Sequence, residues 1–215
     1  MSNSVVKGIV GNQLSAAPAG QVQPLSLTKY LALRVAQGQS LFQAAVERGR
    51  VFSVANQTGV ASQAGLSATT PVLTLANPAG SGVNAVLWYA GCTPLVAFAA
   101  AAAVFVAVGT NTAAAAVTGT ATTAHRNLKL GGAAPVITPL LAATLPAAPV
   151  AVGMLGGGLT GAITTLPGIS PMERWFNGAI ILQPGTNLSI QTSTASGALG
   201  LLCEYIWEEV PILND

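Results

Sequence analysis

Charged residues are scarce in this chain of 215 residues. Asp, Glu, Lys and Arg together make up 7% of the sequence, whereas hydrophobic residues make up 51%. An average soluble domain is about 25% charged, and helical bundles need many charged side chains on their solvent-facing sides. High hydrophobicity with little charge also excludes an ordinary disordered chain. The composition therefore favours a β-rich protein whose surface is largely covered by other subunits.

Side chains that carry catalysis or bind metals are also few. His125 is the one histidine, so no His-based metal cluster can form, and its Thr- and Asn-rich surroundings predict a solvated loop. The adjacent Glu208 and Glu209 would point to opposite faces of a strand, whereas a glycosidase needs two acids facing across a cleft. Residues 156–158 are three glycines without the Lys-Ser/Thr of a phosphate loop. We therefore predict no enzyme activity, no cofactor and no metal site.

The two cysteines, Cys92 and Cys203, are too few to form a disulfide framework. Each lies in an apolar stretch, where a free cysteine commonly packs as a small buried hydrophobe. The sequence therefore predicts two buried free thiols, with a single disulfide bridge as the open alternative.

Basic residues are dispersed along the chain. Arg48 with Arg50 and Arg126 with Lys129 are the only local clusters, which is too little positive charge for a nucleic-acid surface. The first 20 residues lack the basic and then apolar pattern of a signal peptide. We therefore expect no direct nucleic-acid contact, and synthesis and assembly in a cytoplasm.

The longest apolar run, residues 94–108, could in principle enter a membrane. A spanning helix needs about 20 apolar residues, and this run is shorter and has no flanking Lys or Arg. As a strand it would be apolar on both faces, as in a strand between two layers or at a subunit contact. A buried helix is an alternative because Ala favours helix. We predict no membrane contact; a small membrane protein built around residues 94–117 is the weaker alternative.

From Val51 onward, short apolar runs separated by turn residues predict an antiparallel sandwich. Predicted strands cover residues 51–56, 71–77, 83–91, 136–142 and 150–155. Residues 178–183 and 187–192, joined by Pro184-Gly185, form a hairpin pattern. In the last predicted strand, one face carries Leu199, Leu201, Cys203, Tyr205 and Trp207, and the other carries Leu202, Glu204, Ile206 and Glu208.

We therefore predict an all-β protein, an antiparallel β-sandwich of jelly-roll-like form with an N-terminal arm and a short helical segment. Residues 1–48 are predicted to form the arm, with one short helix ending near Gly38 and a second ending near Gly49. Residues 49–215 are predicted to form the sandwich, with long loops rich in Ala, Gly and Pro.

Three segments carry a resemblance to a known group of proteins. They are FQAAVERGRVFSVANQTGV at residues 42–60, LTLANPAGSGVNAVL at residues 73–87 and YIWEEVP at residues 205–211. They resemble the RGxxFxxANQTG, LxNPxGSG and WEE[IV]P motifs of tailed-bacteriophage virion structural proteins, some of them capsid cement or decoration proteins. The resemblance covers about residues 42–90 and 175–211, and the Ala- and Gly-rich middle departs from it. The motifs are turn and packing signatures, and so bear more on fold than on position in the virion.

The resemblance implies a structural protein of the capsid that forms trimers and bridges subunits of the major capsid protein. A tail- or fibre-associated protein that binds a host surface is the alternative. Large aromatic and isolated charged residues are the side chains expected at such contacts. The interface candidates are Arg48, Arg50, Trp88, Phe98, Phe105, Glu173, Arg174, Trp175 and Trp207.

Overall fold

The computed structural model of the chain describes residues 42–96, 98, 100–112, 114–158, 172–196 and 200–212. These residues form one short helix and eleven strands, and most of the strands lie where short apolar runs occur in the sequence. The bounds are α1 Gln43–Glu47, β1 Val51–Ala55, β2 Thr74–Asn77, β3 Val83–Pro94, β4 Ala102–Thr110, β5 Thr118–Ala121, β6 His125–Asn127, β7 Thr138–Thr144, β8 Val150–Gly158, β9 Met172–Leu182, β10 Thr186–Thr192 and β11 Leu201–Pro211.

The strands form two antiparallel sheets. The first sheet has the order β6-β1-β11-β3-β9, and the second has the order β5-β7-β2-β10-β4-β8. Without β5, β6 and β7, the pairs are nested: β4 pairs with β8, β3 with β9, β2 with β10 and β1 with β11. A long eight-stranded hairpin rolled into two layers gives this order, which is that of a jelly roll. The predicted fold class is therefore confirmed.

The core lies between the two sheets. Phe52, Leu75, Val106 and Leu188 belong to it, and Trp207, with none of its surface exposed, is stacked on Phe52 at 5.7 Å between ring centroids. Along β11, buried and less buried residues alternate as predicted: Leu201, Cys203, Tyr205 and Trp207 are buried, and Glu204 is exposed. The predicted face assignment of this strand is confirmed, and Trp207 lies on its buried face. Leu199 lies outside the described residues.

The strands β5, β6 and β7 are an insertion between β4 and β8. β6 extends the first sheet beside β1, whereas β7 and β5 extend the second sheet beside β2. Ala76, Leu140, Ala143 and Leu145 form a second, smaller apolar cluster there. The Thr-rich middle of the chain is therefore folded onto one side of the jelly roll.

The chain divides into two units, Met1–Ala44 and Ala45–Asp215. Helix α1 is followed by Gly49, which has φ +70° and whose N–H donates to the Val46 carbonyl. The Arg50 N–H donates to the Ala45 carbonyl. These two bonds are those of a Schellman motif, so the predicted end of the second helix is confirmed. The predicted helix before Gly38 and most of the arm, residues 1–48, lie outside the described residues.

The predicted hairpin around Pro184-Gly185 is wrong. The turn itself is present, because Thr186 N–H donates to the Gln183 carbonyl and Gly185 has φ +82°, as in a type II turn. However, β9 belongs to the first sheet and β10 to the second. Type II turns do not match the twist of paired strands, and the chain here crosses from one sheet to the other.

Two smaller predictions also need correction. The strand predicted across residues 94–108 begins only at Ala102, because β3 continues to Pro94 and the residues between them are outside both strands. His125 was predicted in a solvated loop. It is instead the first residue of β6, half-buried, with its Nδ1 atom 2.9 Å from the Thr122 carbonyl oxygen.

Candidate interaction surfaces

The asparagine of the ANQTG segment, Asn56, has a structural role. Its side-chain amide donates to the carbonyls of Thr58 and Leu201, at 2.7 and 2.9 Å, and its Oδ1 atom accepts from the Cys203 backbone N–H. Asn56 is only 3% exposed. This motif therefore holds the end of β1 against the start of β11.

The NPAGSG segment is a second structural motif. Asn77 Nδ2 donates to the carbonyls of Val83 and Leu182, both at 2.9 Å, and Asn77 Oδ1 accepts from the Ser81 hydroxyl. Gly80 and Gly82 have φ near +78° and +73°, a region that glycine adopts with little strain. The turn thus joins β2 of the second sheet to β3 and β9 of the first sheet.

In the WEEVP segment the buried glutamate is Glu209. Its carboxyl oxygens accept from the backbone N–H groups of Val136 and Ile137 at 3.0 and 2.9 Å, and from Trp207 Nε1 at 3.4 Å. Glu209 is 6% exposed, so it fastens the segment before β7 to the last strand. All three motifs of the resemblance therefore stabilise the fold.

The nine interface candidates separate by burial. Trp88, Phe98 and Trp207 are buried in the chain itself, at 6%, 4% and 0% exposure, and Phe105 is half-buried on β4. Phe98 and Trp207 belong to the core cluster, whereas Phe105 is paired with the exposed Met154 of β8 and lies outside that cluster. The candidates with accessible side chains are Arg48, Arg50, Glu173, Arg174 and Trp175.

The accessible candidates lie at the two opposite edges of the first sheet. Glu173, Arg174 and Trp175 are on the terminal strand β9, and Arg48 and Arg50 flank Gly49 before β1, which pairs with the other terminal strand, β6. The chain therefore has two separate polar surfaces at the ends of this sheet.

The first surface, which we call the acidic edge, consists of Glu173, Trp175, Tyr89 and Glu204. The Tyr89 hydroxyl donates to Glu173 Oε2 at 2.6 Å, and the Tyr89 and Trp175 rings lie 4.9 Å apart. Gly91 is paired with Glu173 on one side and Glu204 on the other. A Cβ atom on Gly91 would lie 2.6 Å from the Tyr89 hydroxyl, so glycine makes room for the phenol between the two carboxylates.

Burial, together with the carboxylates of Glu173 and Glu204, raises the pKa of Tyr89 well above its ordinary value. The phenol therefore remains a hydrogen-bond donor at neutral pH. Trp175 is 50% exposed beside it. Arg174, between Glu173 and Trp175 in sequence, lies over the Phe176 ring at 5.1 Å from its centroid.

The second surface, the basic edge, consists of Arg48, Arg50, Arg126 and Lys129. Arg126 Nη1 donates to the carbonyls of Thr123 and His125 at 2.9 and 2.7 Å, and Lys129 Nζ donates to the Glu47 carbonyl at 2.9 Å. Arg48, Arg126 and Lys129 are exposed. The sequence clusters Arg48-Arg50 and Arg126-Lys129, which were predicted to be too small for a nucleic-acid surface, are therefore parts of one surface.

The second sheet differs because none of its six strands contains Asp, Glu, Lys or Arg, as their sequences show. Its terminal strand β8 exposes Val150, Val152 and Met154 to 65%, 47% and 55%. Beside β8, a groove of about 780 Å³ opens between the two sheets. It is lined mainly by small apolar residues, among them Val108, Ala148, Val150, Ile180 and Leu182.

Cys92 and Cys203 are directly opposite each other on β3 and β11, with their Sγ atoms 3.2 Å apart. Both are free and buried, at 4% and 2% exposure. Burial, with Cys92 alongside, raises the pKa of Cys203 above its ordinary value. The two thiols therefore have the burial expected from sequence.

In the described part of the chain, no three His, Cys, Asp or Glu side chains form a group that could hold a metal ion. The described segments also contain no helix with the length and apolar character needed to cross a bilayer. Comparison with protein-family models, curated proteins and solved structures found no match to the chain. The class that the geometry defines is an antiparallel jelly-roll sandwich with one charged and one uncharged sheet.

Proposed function

We propose that the chain is a structural, non-catalytic protein of a bacteriophage capsid, a cement protein that forms trimers and bridges neighbouring major capsid subunits. The observation that carries the proposal is the uncharged second sheet, whose terminal strand exposes Val150, Val152 and Met154. Val150 and Val152 also line the apolar groove beside this strand, and exposed apolar surface of this kind is typical of a protein contact. The motif resemblance to virion structural proteins supports the same function.

The physical basis of bridging would be apolar area removed from water, worth roughly 25 cal/mol per Å². Only part of this free energy becomes affinity, because association and ordering entropy oppose binding. Repetition offsets the loss, since a trimer that holds several capsid subunits binds each further subunit at high effective concentration. The exposed charges of the described residues, which lie near the first sheet, would fix orientation rather than supply affinity.

The test uses particles that lack the protein. They should assemble but lose their DNA at lower temperature, or after milder osmotic shock, than complete particles. Mass-spectrometric copy number should give hundreds of copies per complete particle, consistent with a shell component. Equal robustness of depleted particles would contradict the proposal.

A charge placed on β8 tests the surface itself. Val152→Glu puts a carboxylate on the exposed apolar strand and should abolish binding to depleted particles. The matched control is Ile212→Glu, which puts the same group at a 38% exposed residue just after β11. The control variant should still bind. Binding by both variants would exclude β8 from the capsid contact.

A second candidate function is that of a tail-associated protein that binds a host surface glycan. Trp175, half-exposed beside the Glu173 carboxylate, favours it, because an aromatic face next to a hydrogen-bond acceptor suits a sugar ring. Imaging of labelled particles separates the two functions. Label confined to the tail, with only a few copies per particle, would replace the cement proposal with this one.

A further inference from the structure

We propose that copies of this chain associate head to tail through the first sheet, with the basic edge of one copy against the acidic edge of the next. The inference deepens the proposed function by naming the surface that forms the oligomer. It rests on the part of the proposed function that says copies of the chain associate with one another. The partner that binds each edge is a second copy of the chain, because the two edges have complementary charges.

The two edges lie at the same level of the sheet. Trp175 on β9 pairs with Tyr89, Tyr89 pairs with Ile206, Ile206 with Ser53, and Ser53 with Arg126 on β6. Paired residues in antiparallel ladders share a face. Trp175 and Arg126 are therefore the two ends of one transverse row. Phe52 and Val54, which flank Ser53 on β1, belong to the core. Because successive side chains of a strand point to opposite faces, the row that contains Ser53 faces away from the core.

A neighbouring copy beside the β9 edge, at the same level, therefore brings its Arg126 to Trp175. An arginine over a tryptophan face gains a cation–π interaction, and Glu173, two residues away on the same face of β9, supplies a carboxylate. The Tyr89 hydroxyl already holds Glu173 Oε2, so the acceptor is fixed in place. Arg and Trp are the residue types most enriched among side chains that dominate interface energy.

The Arg126 guanidinium is also held in place before association. Its Nη1 atom donates to the carbonyls of Thr123 and His125, and the other N–H groups of its five donors remain for a partner. Preformed geometry on both sides lowers the entropic cost of binding.

Charge also decides the symmetry of the contact. The basic edge has four cations beside Glu47 and Glu208, and the acidic edge has two carboxylates beside Arg174. Like edges therefore carry an excess of like charge, so a two-fold contact between equal surfaces is disfavoured. A contact between unlike edges is heterologous and closes into a ring when the rotation between copies allows it. A ring of three copies is the trimer of the proposed function.

The experiment is sedimentation velocity of the full chain across micromolar concentrations, with charge reversals on each side. Arg126→Glu and Glu173→Arg should each weaken self-association by roughly a hundredfold, because each places like charges in contact. The double variant R126E/E173R restores opposite charges and should recover association to within about tenfold of the unmodified chain. Recovery by the double variant separates a direct contact from a structural effect of either change.

Two further variants complete the test. Trp175→Ala should weaken association, and Ile212→Glu, just after β11 and outside both edges, should leave it unchanged. A chain that stays monomeric, an oligomer insensitive to R126E, or no recovery in the folded double variant would overturn the inference. Trp175-dependent glycan binding by a monomer would overturn it in favour of the glycan-binding function. No capsid is present, so the result is independent of particle binding; a ring that fails to bind particles would contradict only the cement function.

Discussion

The two sheets of this sandwich share one core but differ in chemistry. The first sheet and its flanking residues carry every charged side chain between residues 42 and 212, whereas the second sheet carries none. Both sheets contain buried polar side chains with hydrogen-bond partners, such as Asn77 on β2 and Gln191 on β10 in the second sheet, and individual residues differ. Asn56 and Glu209, beside and on the first sheet, have hydrogen-bond partners, whereas Asn187 on β10 has no partner for either side-chain polar atom among the described residues.

The difference indicates a division of roles. Buried side chains with satisfied hydrogen bonds fix the geometry of the segments they join, and both sheets contain them, whereas the charged side chains lie only on and beside the first sheet. A sheet without charge presents a surface whose desolvation costs little, so the second sheet suits permanent contact with a partner. Each prediction below tests one side of this comparison.

The largest effect is expected at the centre of the first sheet. Trp207→Ala should lower the free energy of unfolding by roughly 3–5 kcal/mol, because a fully buried indole leaves a cavity and loses its stacking on Phe52. Urea denaturation measures the loss. Trp175→Ala, at a half-exposed tryptophan on the same sheet, is the control and should cost much less. An unchanged unfolding midpoint for Trp207→Ala would mean that β11 is assigned to the wrong register.

The next effect is expected at Glu209. Glu209→Ala leaves the buried N–H groups of Val136 and Ile137 without their acceptor, which should cost roughly 2–4 kcal/mol. Glu204→Ala, at an exposed glutamate on the same strand, is the matched control. Equal losses in the two variants would show that the carboxyl group of Glu209 does not hold this segment.

How much of this could be read from sequence depends on what each residue contacts. The alternation in β11 was predictable because one side of the strand faces the core along its whole length. The start of β4 was not, because residues 95–108 are apolar on both sides and contain no turn residue to mark a boundary. The route of the chain after β9 was also missed, since a Pro-Gly turn is compatible with a hairpin and with a crossing between layers.

The same reasoning applies to the surfaces. Aromatic size identified Trp88, Phe98 and Trp207 as anchors but did not say whether they face the core or a partner. Tyr89 was missed because its contact with Glu173 joins residues 84 positions apart. Arg126 was noted, but its alignment with Trp175 follows only from the pairing of five strands. Long-range register is the information that local patterns lack.

A matched pair of asparagines gives a smaller expected effect. Asn56→Ala removes the partner of the Leu201 carbonyl and the Cys203 N–H, which should cost roughly 1–3 kcal/mol. Asn187→Ala removes a buried amide that has no partner in the described residues, so it should cost less than about 1 kcal/mol. Chemical denaturation of both variants measures the difference. A larger loss for Asn187→Ala would reverse the comparison between the two sheets.

The smallest effect is the pH dependence that Glu208 contributes. Burial raises the pKa of Glu208 above its ordinary value, and the nearby guanidinium groups of Arg50 and Arg48 oppose that rise. A raised pKa means that the folded state binds the proton more tightly than the unfolded state. The resulting stabilisation is present below the pKa of the unfolded chain and is lost as the pH rises through the pKa of the folded state.

Glu208→Gln removes this titration and should therefore become more stable relative to the unmodified chain as the pH rises from about 4 to about 7. Arg50→Gln removes one of the opposing charges, so the unmodified glutamate in that variant should lose its stabilisation at a higher pH. Denaturant midpoints of the unmodified chain and of both single variants, measured across this range, test the sign. If Glu208→Gln instead became relatively less stable as the pH rose, attraction to Arg50 and Arg48 would outweigh burial. The charged rows of the first sheet would then stabilise the subunit itself, beyond orienting its partners.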